Sequence, residues 1–313
     1  YAGGSPVRHG EPRTIHLLSR GNVLTPTREV SPGTLSLIEG LESRFALAPD
    51  HAEGDRRAAL ATWLTDPANP LIWRSLVNRV WHYHFGRGIV DTPNDLGRMG
   101  GSPSHPELLD WLAGEFRDGG GSLKDLHRLI VNSATYRQVS TSRADAAEID
   151  AENRLLWRQN RRRLEAEAIR DAVLATAGTL DLTMGGPGWQ DFVIEHPEHS
   201  PHYRYDLADP RDASTWRRGV YRFVVRSQTQ PFMTCLDCAD PSMRVARRNE
   251  SVSALQALAL LNNGFMLVQA EEFARRLEQD VGDDRVAQIE RAFLLALGRR
   301  PDSIERDALT ELA

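Results

Sequence analysis

Residues 195–206, with the sequence EHPEHSPHYRYD, pack three histidines, two glutamates, one aspartate and two tyrosines into twelve positions. Imidazole and carboxylate groups are the ligands of zinc, iron and manganese, and a loop can wrap them around one ion without helical spacing. The candidate ligands of a divalent metal are His196, His199, His202 and Asp206. The candidates for acid–base catalysis are Glu195, Glu198, His199, His202 and Tyr203.

The same stretch is also compatible with a polar surface loop that has no site and is held to the protein by the packing of its tyrosines. Pro197 and Pro201 exclude a regular helix here, so the three histidines need not share a face. If the stretch is a site, Trp189, Arg204 and Tyr205 are the candidate substrate-binding residues, since their rings and guanidinium suit a sugar or an anion. Both interpretations stay open at the level of sequence.

The two cysteines, Cys235 and Cys238, form the motif CLDC. The pair could be a redox dithiol, half of a zinc site, a small-loop disulfide or two unreacted thiols. Zinc needs four ligands and no second CxxC exists, so a metal site would have to borrow histidines. A c-type haem needs a histidine after the second cysteine, but Ala239 stands there, so this fragment holds no haem attachment site.

Other charged and histidine-containing stretches favour structural roles. In HYHFGRG, His84 lies on an apolar helical stripe and His82 points away, which predicts a core histidine at 84 and a surface histidine at 82. In RRRLEAEAIRD, ion pairs within one helix explain most of the charge. The members of that set are Arg162, Glu165, Glu167 and Arg170. The later run RVARRNE, residues 244–250, precedes a predicted helix start and could bind an anion there, but it is interpreted as a solvated loop.

The elements that would position these residues are mainly helical. Residues 1–50 are extended and loop-rich, with a short strand at 14–21, and a mainly helical domain follows over 51–313. The clearest helix is LIWRSLVNRVWHYHF, whose apolar residues repeat at i, i+3, i+4 and i+7. Ser104 with Glu107 predicts a capping box, and Ser122 with Asp125 a weaker one.

The second half predicts a helix at about 164–176, a long irregular His/Pro/Trp-rich segment at 178–218 and a strand at 219–226. Helices return afterwards, and the final PDSIERDALTELA is interpreted as a helix cut short, so that the C-terminus is truncated. The predicted fold is a single large, mainly α domain with a small β element.

Composition narrows the classes of function. The net charge of −5 and the pI near 6.1 disfavour nucleic-acid binding, which normally shows a basic excess. No apolar run approaches the ~20 residues that a membrane span requires. All basic residues except Lys124 are arginine, and a chain-wide codon bias explains this better than selection for anion binding.

Several ordered blocks resemble the planctomycete-type domain of unknown function 1553, including NPLIWRSLVNRVWHYHFGRGIVDTPNDLGRMG, SHPELLDWLAGEF and SALQALALLNNGFM. The resemblance covers roughly residues 15–313. It implies that the chain is the C-terminal part of an exported protein, periplasmic or extracellular, with an upstream cytochrome c segment. In an exported protein, a structural disulfide or unreacted thiols are favoured for the cysteine pair. The family supplies no catalytic residues to transfer.

Two functions follow as hypotheses. The first is an exported enzyme domain that acts on an extracellular substrate such as a polysaccharide, with the 195–206 stretch as its site and a divalent metal as a candidate cofactor. The second is a non-catalytic module that docks the upstream cytochrome c. They differ in whether the side chains of residues 195–206 converge on one point in a pocket.

Overall fold

The computed structural model describes residue 12 and residues 14–312. This part of the chain contains eleven α-helices and two small antiparallel sheets, which confirms the mainly α class. It forms two compact units that divide between Arg161 and Arg162, whereas the sequence predicts a single domain over 51–313. The division falls in the polar run RQNRRRLE, which has no glycine or proline, so no linker composition marks it.

The first unit begins with a two-stranded sheet of β1, His16–Leu18, and β2, Pro26–Glu29. The strand predicted at 14–21 is therefore confirmed over three residues, while residues 1–11 and 13 of the predicted segment 1–50 lie outside the described part. The helices of this unit are α1 Glu53–Leu64, α2 Pro70–Phe85, α3 Pro106–Asp118, α4 Leu123–Asn132 and α5 Ala144–Ile149.

Helix α2 supplies the centre of the first core. Asn69 caps its start by accepting a hydrogen bond from the Leu71 amide, and Gly86 ends it in the left-handed region at φ 79°. The apolar stripe predicted from the sequence packs against α3 and α4. The buried core residues of these three helices are Val77, Trp81, Phe85, Leu109, Leu112, Phe116, Leu126 and Ile130.

Two local predictions in this unit are wrong. His82 is buried and His84 is partly exposed, because the buried arc of α2 extends to Asn78 and His82, one turn apart. His84 Nε2 lies 2.7 Å from His127 Nδ1. The box predicted at Ser104 is absent: His105 is the N-cap of α3, and the Ser104 hydroxyl contacts the His105 ring instead. Ser122 does cap α4, accepting from the Asp125 amide.

The described residues of the second unit contain six α-helices and one hairpin. The helices are α6 Ala166–Ala177, α7 Pro231–Cys235, α8 Ala254–Asn262, α9 Gly264–Val281, α10 Arg285–Leu297 and α11 Ser303–Leu312. The hairpin joins β3, Val193–Glu195, to β4, His202–Arg204. A small core forms around Ala166 of α6 and Phe232, Met233 and Leu236 in and after α7.

The strand predicted at 219–226 is wrong. Residues 219–221 form a turn of 3-10 helix, and the following extended residues make only one isolated bridge, between Trp189 and Arg222. Gly219 packs tightly on α6: a Cβ there would lie 3.3 Å from the Asp171 carboxylate, and the Gly219 amide donates to that carboxylate at 2.7 Å. The β-branched residues that suggested a strand have no partner strand beside them within the described residues.

Candidate functional site

The stretch 195–206 forms the arms and tip of the β3–β4 hairpin. Glu195 lies opposite His202, and Tyr203 lies opposite Ile194, so the tip comprises residues 196–201. The prolines do exclude a helix, as predicted, and they bound an exposed loop. Glu198 and His199 stand on this tip with their side chains exposed to solvent.

Arg204 binds two carboxylates that the sequence predicted as functional groups: Asp206, a candidate metal ligand, and Glu195, a candidate for acid–base catalysis. Its Nε and Nη2 donate to both oxygens of Asp206 at 3.0 and 2.7 Å, and its Nη1 donates to Glu195 Oε1 at 3.0 Å. The hydrogen bonds from Arg204 hold the pKa of Asp206 below its ordinary value of 3.8. Arg204 therefore fixes the base of the hairpin and keeps Asp206 ionised.

The structure does not bring the candidate metal ligands together. His196 and His199 lie on the exposed tip, His202 is exposed on β4, and Asp206 is held by Arg204. Across the described part of the chain, no group of three or more His, Cys, Asp or Glu side chains is placed to hold a metal ion. A loop could have wrapped these residues around one ion, but the exposed hairpin tip presents its histidines to solvent instead.

A pocket of about 310 Å³ lies beside the hairpin, within the second unit. It includes three of the candidate site residues predicted from the sequence, Trp189, Tyr205 and Asp206. The other polar and aromatic residues of its wall are Arg170, Asp191, Asp209, Thr215, Gln230, Phe232, Asn263 and Phe265. We call this cavity the Trp189 pocket.

Arg170 of α6 is buried in the wall of the Trp189 pocket. Its guanidinium lies 4.1 Å from the ring centre of Trp189 and 5.1 Å from that of Phe265. Its Nη1 donates to the Arg217 carbonyl at 2.9 Å, and Nη2 donates to the Thr215 carbonyl. Burial lowers the pKa of Arg170 to about 10, so the group stays charged at neutral pH.

Trp189 is fixed by its backbone as well as by its ring. Its amide donates to the Tyr221 carbonyl at 3.0 Å, and its carbonyl accepts from the Phe223 amide at 2.8 Å. The indole Nε1 donates to the Arg218 carbonyl at 3.2 Å. The buried indole is thus a rigid part of the wall.

Asp191 contributes a carboxyl group with an unusual environment. Its Oδ1 is buried and accepts no hydrogen bond, although the side chain lines the pocket. Burial raises the pKa of Asp191, and this effect outweighs the opposing influence of Arg222, Arg170 and Gln230. The group is more readily protonated than an ordinary aspartate.

Tyr205 completes the side of the pocket nearest the hairpin. Its hydroxyl donates to the Gln228 carbonyl at 3.1 Å, and its ring meets the edge of Phe192 at a centroid distance of 5.5 Å. Burial, and then the nearby Asp191, raise the pKa of its phenol. Tyr205 therefore presents an oriented, neutral ring.

A second polar cluster lies at the start of α6, outside the pocket wall. Arg248 donates to both carboxylate oxygens of Glu167 at 3.0 to 3.1 Å, and the Cys238 thiol lies 3.5 Å from Glu167 Oε1. The ion pair predicted between Glu167 and Arg170 is therefore absent: Glu167 binds the distant Arg248, while Arg170 donates to the Thr215 and Arg217 carbonyls and lies 3.7 Å from Asp171 of its own helix. Arg248 is likewise bound rather than solvated. Cys235 and Cys238 are free thiols, in agreement with the second of the favoured alternatives.

Sequence reasoning missed Arg170, Asp191 and Asn263, because they come from separate segments that only the fold joins. The nearest available signal was the segment GWQDF, which places Asp191 two residues after Trp189. Trp189 and Tyr205 were predicted as substrate-binding residues and Asp206 as a metal ligand, because all three stand in or near one unusual stretch.

None of the helices in the described part of the chain combines the length and apolar character needed to cross a membrane.

Comparison with known proteins identifies the family of this chain. No curated protein and no solved structure matches the chain. The sequence model of one family, PSD1, Protein of unknown function (DUF1553), matches residues 56–313. Since the match spans well over half of the sequence, the chain belongs to the DUF1553 family.

Proposed function

We propose that the Trp189 pocket binds a sugar unit of an extracellular polysaccharide. The observation that carries the proposal is that aromatic rings and hydrogen-bonding side chains line the same small cavity. Tyr205, Phe265 and Trp189 supply apolar surface, while Asp209 and Asn263 supply polar groups. A sugar ring has an apolar C–H face and a rim of hydroxyls, so it needs this combination of partners.

The charge and size of the pocket support a neutral, compact ligand. Arg204 pairs with Asp206, burial raises the pKa of Asp191 and so favours its neutral form, and the buried Arg170 supplies one positive charge against Asp209. The volume of about 310 Å³ is at the lower end of the range of small-molecule sites, ~300–1,000 Å³. The cavity therefore suits one sugar ring or the end of a chain.

Titration of the purified protein with a panel of mono- and oligosaccharides, followed by calorimetry, tests this proposal. Tyr205→Ala should weaken binding ~2–10-fold, since an oriented aromatic contact contributes ~0.5–1.5 kcal/mol. Tyr221→Ala is the matched control, because Tyr221 also stands in a 3-10 turn of the second unit but does not line the pocket. Absence of binding to the whole panel, or equal weakening by both variants, would contradict the proposal.

The cellular location of this chain and its neighbouring segments are proposed from the family resemblance. We infer that the chain is the C-terminal module of an exported, cytochrome c-linked protein, periplasmic or extracellular. The CLDC motif with Ala239 agrees with a division of labour in which any haem is attached elsewhere in the protein. Isolation of the native protein should therefore yield covalently bound haem on a segment other than this one, and recovery from the cytoplasmic fraction would contradict export.

An apolar groove in the first unit favours a second function, the docking of the upstream cytochrome c. The groove measures about 570 Å³ and includes Leu108, Trp111 and Leu129. Trp111 is 51% exposed, which is unusual for so large an apolar side chain. If the groove binds the cytochrome segment, Trp111→Asp should weaken their association without affecting sugar binding.

A further inference from the structure

We propose that the Trp189 pocket cleaves a glycosidic bond, with Asp191 as the proton donor to the leaving oxygen and Asp206 as the base that activates water. This inference rests on the proposed sugar binding and adds a reaction to it. Both carboxyl groups line the same cavity, and the two stand in opposite environments. Such pairs divide the roles of acid and base between chemically identical side chains.

The surroundings of Asp191 favour the neutral acid. No hydrogen-bond donor reaches its buried Oδ1, so the negative charge of the ionised form would be poorly stabilised there. Arg170 from α6 and Arg222 from the chain after the 3-10 turn attract that charge, yet burial outweighs both. Asp191 can therefore hold a proton at a pH at which exposed carboxyl groups have lost theirs.

The surroundings of Asp206 favour the anion. Two hydrogen bonds from Arg204, at 3.0 and 2.7 Å, engage both of its oxygens, and each oxygen keeps a second lone pair for another donor. Glu195, on the neighbouring strand, fixes Arg204 in turn. The hairpin thus holds one ionised carboxylate at the same pocket as Asp191, the carboxyl group with the raised pKa.

The proposed step conserves atoms and charge. As the bond between the anomeric carbon and the leaving oxygen breaks, Asp191 gives that oxygen its proton, and a water molecule forms a new bond to the anomeric carbon. Asp206 accepts the proton that this water loses. The products are two hydroxyl-terminated sugars, and proton exchange with solvent restores both carboxyl groups.

The experiment compares glycosides that do and do not need protonation of the leaving group. Purified chain is assayed with the dinitrophenyl and the methyl glycosides of the common pyranoses. Asp191→Asn should lower kcat/KM for the methyl glycoside by 10²–10⁴-fold, the usual contribution of general acid catalysis, and should lower that for the dinitrophenyl glycoside far less. Asp206→Asn should lower both. Asp283→Asn, an exposed aspartate outside the pocket, is the matched control and should change neither.

The outcomes separate the reaction from the binding on which it rests. If sugars bind but no glycoside of the panel is hydrolysed, the reaction is overturned and the proposed function stands. If no sugar binds, the proposed function fails and the reaction falls with it. If Asp191→Asn lowers the rates for both leaving groups equally, Asp191 is not the acid and the assignment is overturned.

Discussion

Asp191 carries a carboxyl group that folding partly removes from water, and its Oδ1 accepts no hydrogen bond. Because burial raises its pKa above the ordinary 3.8, the folded protein holds this proton more tightly than the unfolded chain does. As the pH rises above 3.8, ionisation of Asp191 therefore costs folding free energy, and the protein loses stability instead of gaining it. This is the reverse of the behaviour of a salt-bridged aspartate such as Asp206.

At the scale of this residue, we predict that Asp191→Asn stabilises the protein at neutral pH. The amide keeps the shape of the side chain and removes the cost of a buried charge, so a gain of ~0.5–2 kcal/mol is expected, the range of typical stabilising substitutions. At pH 3 the wild-type carboxyl is protonated and the gain should disappear. Thermal unfolding of both proteins at pH 3 and pH 7 measures the difference.

The control for this prediction is Asp206→Asn, whose effect should have the opposite sign. Arg204 lowers the pKa of Asp206, so its stabilising contribution is present above the unfolded pKa and is lost as the pH falls through the folded pKa. Because the Arg204 guanidinium and the Asp206 carboxylate are 40% and 63% exposed, the stability that Asp206→Asn loses at pH 7 should be small. A lower thermal midpoint for Asp191→Asn at pH 7 would show that its charge is well stabilised and would remove a support of the proposed acid.

At the scale of elements, Asn78 joins α2 to the turn that follows it. The side chain is fully buried, donates to the Val90 carbonyl at 2.9 Å and accepts from the Val90 amide at 2.8 Å. Gly88 lies against the side-chain amide of Asn78, since a Cβ at position 88 would stand 2.8 Å from Asn78 Oδ1. The side chain thus replaces a strand neighbour for the backbone of Val90.

We predict that Asn78→Ala strongly destabilises the first unit. The substitution leaves the buried amide and carbonyl of Val90 without partners, at a cost of roughly 1–3 kcal/mol for each group. Asn132→Ala at the exposed end of α4 is the control and should change stability by less than ~0.5 kcal/mol. The midpoint of urea unfolding, followed by circular dichroism, distinguishes the two, and equal midpoints would mean that water satisfies Val90.

A comparison of predicted with observed elements shows which features of the structure can be predicted from the sequence alone. The apolar period of α2 and the cap at Ser122 are local signals, and they correctly predicted a helix and an N-cap, although the period wrongly placed His84 in the core. The run at 219–226 has the composition of a strand, but a strand requires a partner, and pairing is not written in local composition. The pocket is harder still, since α6, the segment around Trp189, the hairpin and the start of α9 each contribute to it. Trp189 and Tyr205 were predicted as binding residues, whereas Arg170 was assigned to an ion pair within its helix.

At the scale of the whole molecule, each unit builds its core from its own residues. Helices α2, α3 and α4 enclose the core of the first unit, and residues of α6, α7, α8 and α9 form that of the second. Among the described residues, the members of the second core and of the Trp189 pocket all come after residue 162.

We therefore predict that residues 162–313, expressed alone, fold and keep the pocket. About 150 residues are sufficient for an independent domain, and the contacts that hold Arg170 and Trp189 remain in the fragment. The fragment should show a helical circular dichroism spectrum, and its affinity for any sugar bound by the full chain should be within ~2-fold, a difference of about 0.4 kcal/mol. The fragment of residues 1–161 is the control, because it should fold without binding sugar. The prediction fails if the fragment of residues 162–313 is unfolded, or if it folds but binds sugar at least tenfold more weakly than the full chain.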